Sequence, residues 1–367
     1  MGSTVLTAQA YKKMIHSIQV PANLSPEDQI NRYQPLNDFL QAETPKELFR
    51  FRRCDELSIS AFDQDRIYFS PAYKMNDDFD SMLYFDKAHI SAELKRAVAS
   101  DKFTEIVISL RQGATLPGDF ELTYPPMILE MLRENIKNIP EEAIDQIIAQ
   151  FHNAFLDQLE LNSSTFRQII QKQIKFACFS ESISSAAMWG YYADNGKGFA
   201  IAYDFRGGKL TECNSCNTRN QCPSLNNCCL ARVIYGDEPF DASMLAAWLL
   251  IQKLLLEGKL PAFQYFDPQM LVPCPDLFML TKAMLHKAAA WDHEREWRMS
   301  FSCVSNEMNQ QEHPWARKRP SAVYLGRNIS PIHEKILRHL AVEKGIPIYK
   351  MTIPENEVSY NLRPIQI

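Results

Sequence analysis

The sequence predicts an α+β fold: a mixed or antiparallel central sheet with a large helical insertion and a small cysteine-rich insertion. Strand-like runs are interrupted irregularly by helical ones, without regular strand–helix alternation. No strand is followed by a Gly-x-Gly-x-x-Gly turn, the marker of a dinucleotide-binding doubly wound sheet. A mainly helical stretch from about residue 86 to 170 separates the early strands from the later ones.

Residues 1–43 read as an N-terminal arm, in which Ser25 caps a helix that has Pro26 at its first position. The main domain is then 44–367. Leu48 to Arg52 is its first strand, with Leu48, Arg50 and Arg52 on one face. Arg66 to Ser70 is a second strand, stopped by Pro71. After Pro140, apolar residues recur at three- and four-residue steps through Phe155 and Leu159, as in an amphipathic helix. Phe176 to Ser180 and Gly198 to Asp204 are strands on either side of a short helix, Ser184 to Ala193. The cysteine-rich insertion covers about 207–230, and a strand follows at Ala231 to Tyr235. Two helices, roughly 241–257 and 276–290, lead to a strand from Trp297 to Cys303, and Val323 to Leu325 and Ile346 to Met351 close the sheet.

Composition narrows the partners. Hydrophobic residues make up 46% and charged residues 23%, ordinary for a globular chain. A net charge of −5 gives no electrostatic basis for general nucleic-acid binding. The apolar run Met244 to Leu256 is broken by Gln252 and Lys253 and is shorter than the ~20 residues of a membrane span, so no membrane partner is expected. Residues 1–15 lack the apolar core of a signal peptide, so a cytoplasmic location is expected, with the nine cysteines mostly as thiols.

Four segments carry candidate chemistry. Glu294-Arg295-Glu296-Trp297-Arg298 sets two carboxylates and a guanidinium on one face of a strand. It serves either a structural ion-pair network or catalysis. In Phe69 to Asp80, Ser70 and Asn76 either build turns or offer hydrogen bonds to a ligand. Trp189 and Tyr192 are either core residues or stacking platforms for a planar ring. Cys213, Cys216, Cys222 and Cys228 fit a structural Zn²⁺ held by four thiolates at about 2.3 Å. An iron–sulfur cluster, free thiols, and Cys229 in place of Cys228 are the alternatives. His286 and His293 read as satisfied histidines near a helix end, and Arg317-Lys318-Arg319 as a surface loop.

Taken in order, Phe49 to Arg53, Phe69 to Asp80, Cys178 to Tyr203 and Glu294 to Arg298 make the chain resemble a bacterial family known as domain of unknown function 2971. Asp78 stands where that family usually has proline, and Gly196 where histidine is common. The basic residue on the first strand, the serine on a later one and the Glu-x-Glu are also similar in order to the ADP-ribosyltransferase pattern. That likeness implies an NAD-dependent glycosyl transfer on a nucleotide-like ligand. Glu296 would be catalytic and Glu294 would assist, while Arg50, Arg52, Ser70 and Asn76 would bind NAD⁺, with Trp189 and Tyr192 stacking on it. The alternative is a non-catalytic sensing module, whose zinc-clamped loop and basic loop engage a protein or nucleic acid.

Overall fold

The computed structural model describes residues 7–21, 24–99, 101–116, 126–206, 210–214, 228–257, 276, 278–301, 312–355, 358 and 360–367. Their strands are β1 (Leu48–Arg52), β2 (Arg66–Tyr68), β3 (Ser70–Pro71), β4 (Lys175–Ser180), β5 (Phe199–Tyr203), β6 (Cys228–Arg232), β7 (Ile234–Gly236), β8 (His286–Ala288), β9 (Glu296–Phe301), β10 (Trp315–Arg317), β11 (Ala322–Leu325), β12 (Ile348–Thr352) and β13 (Arg363–Gln366).

Nine strands form one sheet in the order β13-β12-β11-β5-β1-β4-β9-β6, with β3 added alongside β4. All its pairings are antiparallel except β11 with β12. The predicted class is therefore the observed one. Two small pairs lie outside it, β10 with β2 and β7 with β8.

Alternation along the strands divides the apolar residues between two cores. One face presents Leu48, Phe179, Phe199, Ile201, Trp297, Met299 and Val323, covered by Leu337 and Ala341 of the helix Pro331–Lys344. Over β1, β5 and β11 the other face carries Phe49, Phe51, Ala200 and Tyr324, packed under Met188 and Trp189 of the helix Ala186–Tyr191. Over β4 and β6, Phe176, Cys229 and Ala231 meet the long helices Glu141–Gln173 and Ser243–Leu256. Tyr11, Ile15, Leu36 and Leu40 of the first two helices belong to this same core, so the segment read as an arm is packed on the domain. Each large apolar side chain buried this way contributes about 1.5–3 kcal/mol.

A single turn sets the helix Ala186–Tyr191 against the sheet. Ser185 caps the helix by accepting from the Met188 N–H. Asp194, Asn195 and Gly196 then take left-handed backbone in succession, which Asn, Asp and Gly tolerate best. Gly198 follows, where a Cβ would lie 2.1 Å from the Arg52 carbonyl oxygen, so only glycine lets β5 start so close to β1.

Two predicted elements differ. The strand Ala231 to Tyr235 is two strands, because the Val233 N–H turns to the Glu296 carbonyl and Ile234 leaves the main sheet to pair with β8. Of the described residues in the predicted helix 276–290, Met279–Met284 form the α-helix, and Ala289 and Ala290 begin a 3-10 turn. The Leu285 carbonyl accepts from Ile234, which draws the next residues into β8. Tertiary pairing here overrides local helix propensity. Ser302 and Cys303, expected at the end of the Trp297 strand, lie outside the described residues.

A histidine pair fastens the N-terminal helix Ala8–Ser17. His286 Nδ1 donates to the Lys282 carbonyl at 2.6 Å, which leaves its Nε2 to accept from His16 Nε2–H at 2.8 Å. Burial, reinforced by His16 and Lys12, lowers the His286 pKa to about 4. The unfolded chain, with a histidine pKa of about 6.5, takes up this proton first. His286 thus favours the folded state fully above pH ~6.5, and that contribution is lost as pH falls through its folded pKa, about 3–4 kcal/mol in all. Melting temperatures of the wild type and His286→Phe between pH 4 and 8 check this. The variant is expected to be less stable at pH 8 but to show a flatter slope between pH 6.5 and 4.

Candidate functional site

A cavity of about 80 Å³ opens on the face of the sheet shared by Phe49, Cys178, Ser180 and Glu296. Its floor is β1, β4 and β9. Met188 and Tyr192 form one wall, Met75, Asn76 and Asp80 another, and Lys287 and Glu294 the closed polar end.

The polar end is built around Arg298, which is fully buried. Its Nη1 and Nη2 donate to the two oxygens of Asp80 at 2.7 and 2.6 Å. Its Nε and Nη2 donate to Glu296 at 2.8 and 3.0 Å. Nη1 also bonds to the Met284 carbonyl, and the guanidinium lies 4.4 Å from the Phe176 ring centroid. The Arg fork is thus occupied on two edges by carboxylates, the strongest neutralising geometry open to it. Asp80 reaches this point through a tight turn, in which Asp77 Oδ1 accepts from the Phe79 N–H and the Asp77 carbonyl from the Asp80 N–H.

Lys287 forms the second layer. Its Nζ donates to Glu294 at 2.6 Å and to Glu296 at 3.2 Å, and lies 4.9 Å from the Trp291 ring centroid. Tyr192 OH donates to the other Glu294 oxygen and accepts from Asn76 Nδ2 at 2.8 Å. Tyr235 OH accepts from the Glu296 N–H at 2.9 Å.

Three carboxyl groups therefore meet two cations, all five side chains buried. The two glutamates respond in opposite directions. Burial disfavours charge on Glu296, but Arg298 and Lys287 outweigh it and hold its pKa well below the usual carboxylate range. Burial raises the pKa of Glu294, and although Lys287 pulls it down, repulsion from Glu296 helps keep it above its ordinary value. Burial and Glu296 also raise the Cys178 pKa, so it remains a thiol.

The sequence-predicted residues divide sharply. Glu294, Glu296, Asn76 and Tyr192 come together at the cavity, where the Tyr192 hydroxyl donates to Glu294. Arg50 does not join them. Glu296 pairs with Ser180, and Ser180 with Phe49, and directly opposed residues share a face. Arg50, next to Phe49, is turned through the sheet, where its Nη2 donates to the Tyr68 carbonyl at 2.6 Å. Arg52 does line the cavity, at the end of β1, although strand alternation sets its side chain on the Arg50 side of the sheet. Ser70 pairs with Phe176 along β3 and is not among the cavity residues. Trp189 is core, edge-on to Phe51, with its Nε1 donating to the Ile183 carbonyl. The hollow expected to hold Arg50, Ser70 and Glu296 together is therefore not formed.

The cysteine segment is partly in view. Cys216 and Cys222 lie outside the described residues, as does the Cys228 side chain. Cys213 is buried beside Ala316 in one core, and Cys229 in the other, on the opposite face of the sheet, so Cys229 does not share the Cys213 environment. Among the described residues no group of three or more His, Cys, Asp or Glu could hold a metal ion. The basic loop is engaged: Arg317 lies in β10, paired with Glu212 at 2.5 Å, and Arg319 donates to the Lys344 carbonyl at 2.5 Å. No described helix is long and apolar enough to cross a membrane.

Asp80, Lys287, Tyr235 and Cys178 were not singled out from the sequence. Asp80 sits within a turn-rich motif that explains itself locally, and Lys287 within a stretch that reads as helix.

The family model described as "Protein of unknown function (DUF2971)" matches residues 188–299. That span holds Met188, Tyr192, Lys287, Glu294, Glu296 and Arg298, while Asp80 lies before it. No curated protein and no solved structure matches the chain.

Breaking a buried ion pair by removing one partner costs about 3–5 kcal/mol, because the remaining charges stay buried. Arg298→Met is expected to lose that much in chemical denaturation. Asp80→Asn, Glu296→Gln and Arg298→Met combined should recover part of it. A single variant as stable as the wild type would show that the cluster does not hold this face together.

Proposed function

We propose that the cavity is a small-ligand site with general-acid capacity, in which Glu294 holds a proton that it donates to the ligand. One observation carries this reading: all three buried carboxyls of the cluster line the cavity, and Glu294 alone of them has no bond to Arg298 and shares its one cation, Lys287, with Glu296. With Asp80 and Glu296 ionised against Arg298 and Lys287, a proton on Glu294 makes the cluster neutral. Two carboxyls whose pKa values are driven apart are the usual basis for separate acid and anion roles. In this assignment Glu296 is the fixed anion, Lys287 positions Glu294, and Tyr192 with Asn76 orients its outer oxygen.

The remaining wall selects the ligand. Phe49, Phe51, Met75 and Met188 offer apolar surface for a flat ring. At about 80 Å³ the hollow suits a single small ring and not a whole nucleoside, and the chemistry suits protonation of an oxygen or nitrogen on that ring. The NAD-dependent ADP-ribosyltransferase reading needs Arg50 and Ser70 at the same hollow, and their positions give it no support. A structural zinc on Cys213, Cys216, Cys222 and Cys228 is a separate proposal for a segment lying mostly outside the described residues.

A ligand that accepts from protonated Glu294 binds best at low pH. Calorimetry with adenine, uracil and nicotinamide is expected to find at least one that binds about tenfold more tightly at pH 5.5 than at pH 8. Glu294→Gln, whose amide always donates, should bind it equally at both. No binding, or the same pH dependence in Glu294→Gln, would refute the assignment.

A further inference from the structure

A second and larger cavity, of about 480 Å³, lies on the other side of the Glu294 ridge. Ser180 and Glu294 line the first cavity, while Ser182, His293 and Arg295 line the second. The ridge is fixed from both chains: Ser180 Oγ donates to the Glu294 carbonyl at 2.7 Å, and the Glu181 N–H donates to the Arg295 carbonyl at 3.2 Å. Consecutive residues thus present a carboxyl to one hollow and a guanidinium to the next.

The lining chemistry is one-sided. Among the described residues the charged or chargeable lining side chains are Arg295 and His293, with no carboxylate beside them. Ser182, Ser184 and Ser185 add three hydroxyls, and Asn361 an amide. Arg295 is exposed and makes no ion pair among the described residues. Most other arginines near this face are engaged, Arg298 with two carboxylates and Arg50 with a carbonyl. Arg295 also sits in left-handed backbone, held there by its own N–H to the Asp292 carbonyl at 3.1 Å. Asn or Gly would occupy that conformation with less strain.

We propose that this second cavity binds a phosphate group. A guanidinium supplies several donors in a plane, and the hydroxyls lining the same cavity supply more. A tetrahedral anion with three or four acceptor oxygens uses them all, whereas a carboxylate uses two. The phosphate is free or is the monoester of a small molecule. The assignment does not depend on the protonation of Glu294.

Inorganic phosphate and phenyl phosphate are titrated into the full chain at constant ionic strength, by calorimetry and by melting temperature. Arg295→Asn keeps the left-handed turn accessible and should melt with the wild type in the absence of ligand. It is expected to bind phosphate at least about tenfold more weakly. His293→Gln is a second variant, expected to weaken binding in the same direction if Arg295→Asn does not fold. Binding of inorganic phosphate alone identifies a free-phosphate site, and binding of both identifies a monoester site. No binding of either, or binding unchanged in both variants, overturns the proposal.

Discussion

The buried guanidinium of Arg298 is the constraint on which the rest of this face depends. A cation taken out of water is tolerated only where carboxylates surround it with good geometry. Here that requirement draws Asp80, from a loop before the helical insertion, and Glu296, from its own strand, onto one point. The Asp80–Arg298 contact spans 218 residues of chain and ties the loop 75–80 to β9. The loop is in turn one wall of the cavity. Packing and site geometry are thus set by the same ion pair.

The pair also creates an electrostatic surplus beside it. Two carboxylates on Arg298 leave Lys287 to serve both Glu294 and Glu296, and one positive charge cannot satisfy two buried negative ones in a low dielectric. The imbalance falls on Glu294, the member linked to the cavity wall by Tyr192 and Asn76. A purely structural network would be expected to pair its charges and close over them. This one leaves a protonatable group next to an apolar hollow, which is the pattern expected where proton transfer is used.

Much of the sheet was legible because local alternation suffices for it. Leu48 to Arg52, Phe176 to Ser180 and Phe199 to Tyr203 each show the two-residue period with aromatic or branched residues, and each forms a strand of the central sheet. The partition of Leu48, Arg50 and Arg52 from Phe49 and Phe51 was legible as well. What alternation does not specify is which of two faces a distant strand will share. That depends on register through β1, β4 and β9, where Phe49, Ser180 and Glu296 align. One residue of register separates Arg50 from the site it was expected to occupy. Lys287 was hidden for a different reason. Its segment has helical composition, but pairing of β8 with β7 captures the backbone. Trp189 and Tyr192, three apart on one short helix, looked equivalent as aromatics. Only the fold sends one into the core and the other to a carboxyl.

The central claim is that two neighbouring glutamates hold opposite protonation states. Carbon-13 NMR of side-chain-labelled glutamate, with the two signals identified in Glu294→Gln and Glu296→Gln, reads each carboxyl directly as pH is varied. Glu294 is predicted to titrate above the ordinary glutamate value of about 4.3, and Glu296 to stay ionised well below it. Two ordinary titrations, or Glu296 taking up its proton before Glu294, would contradict the account.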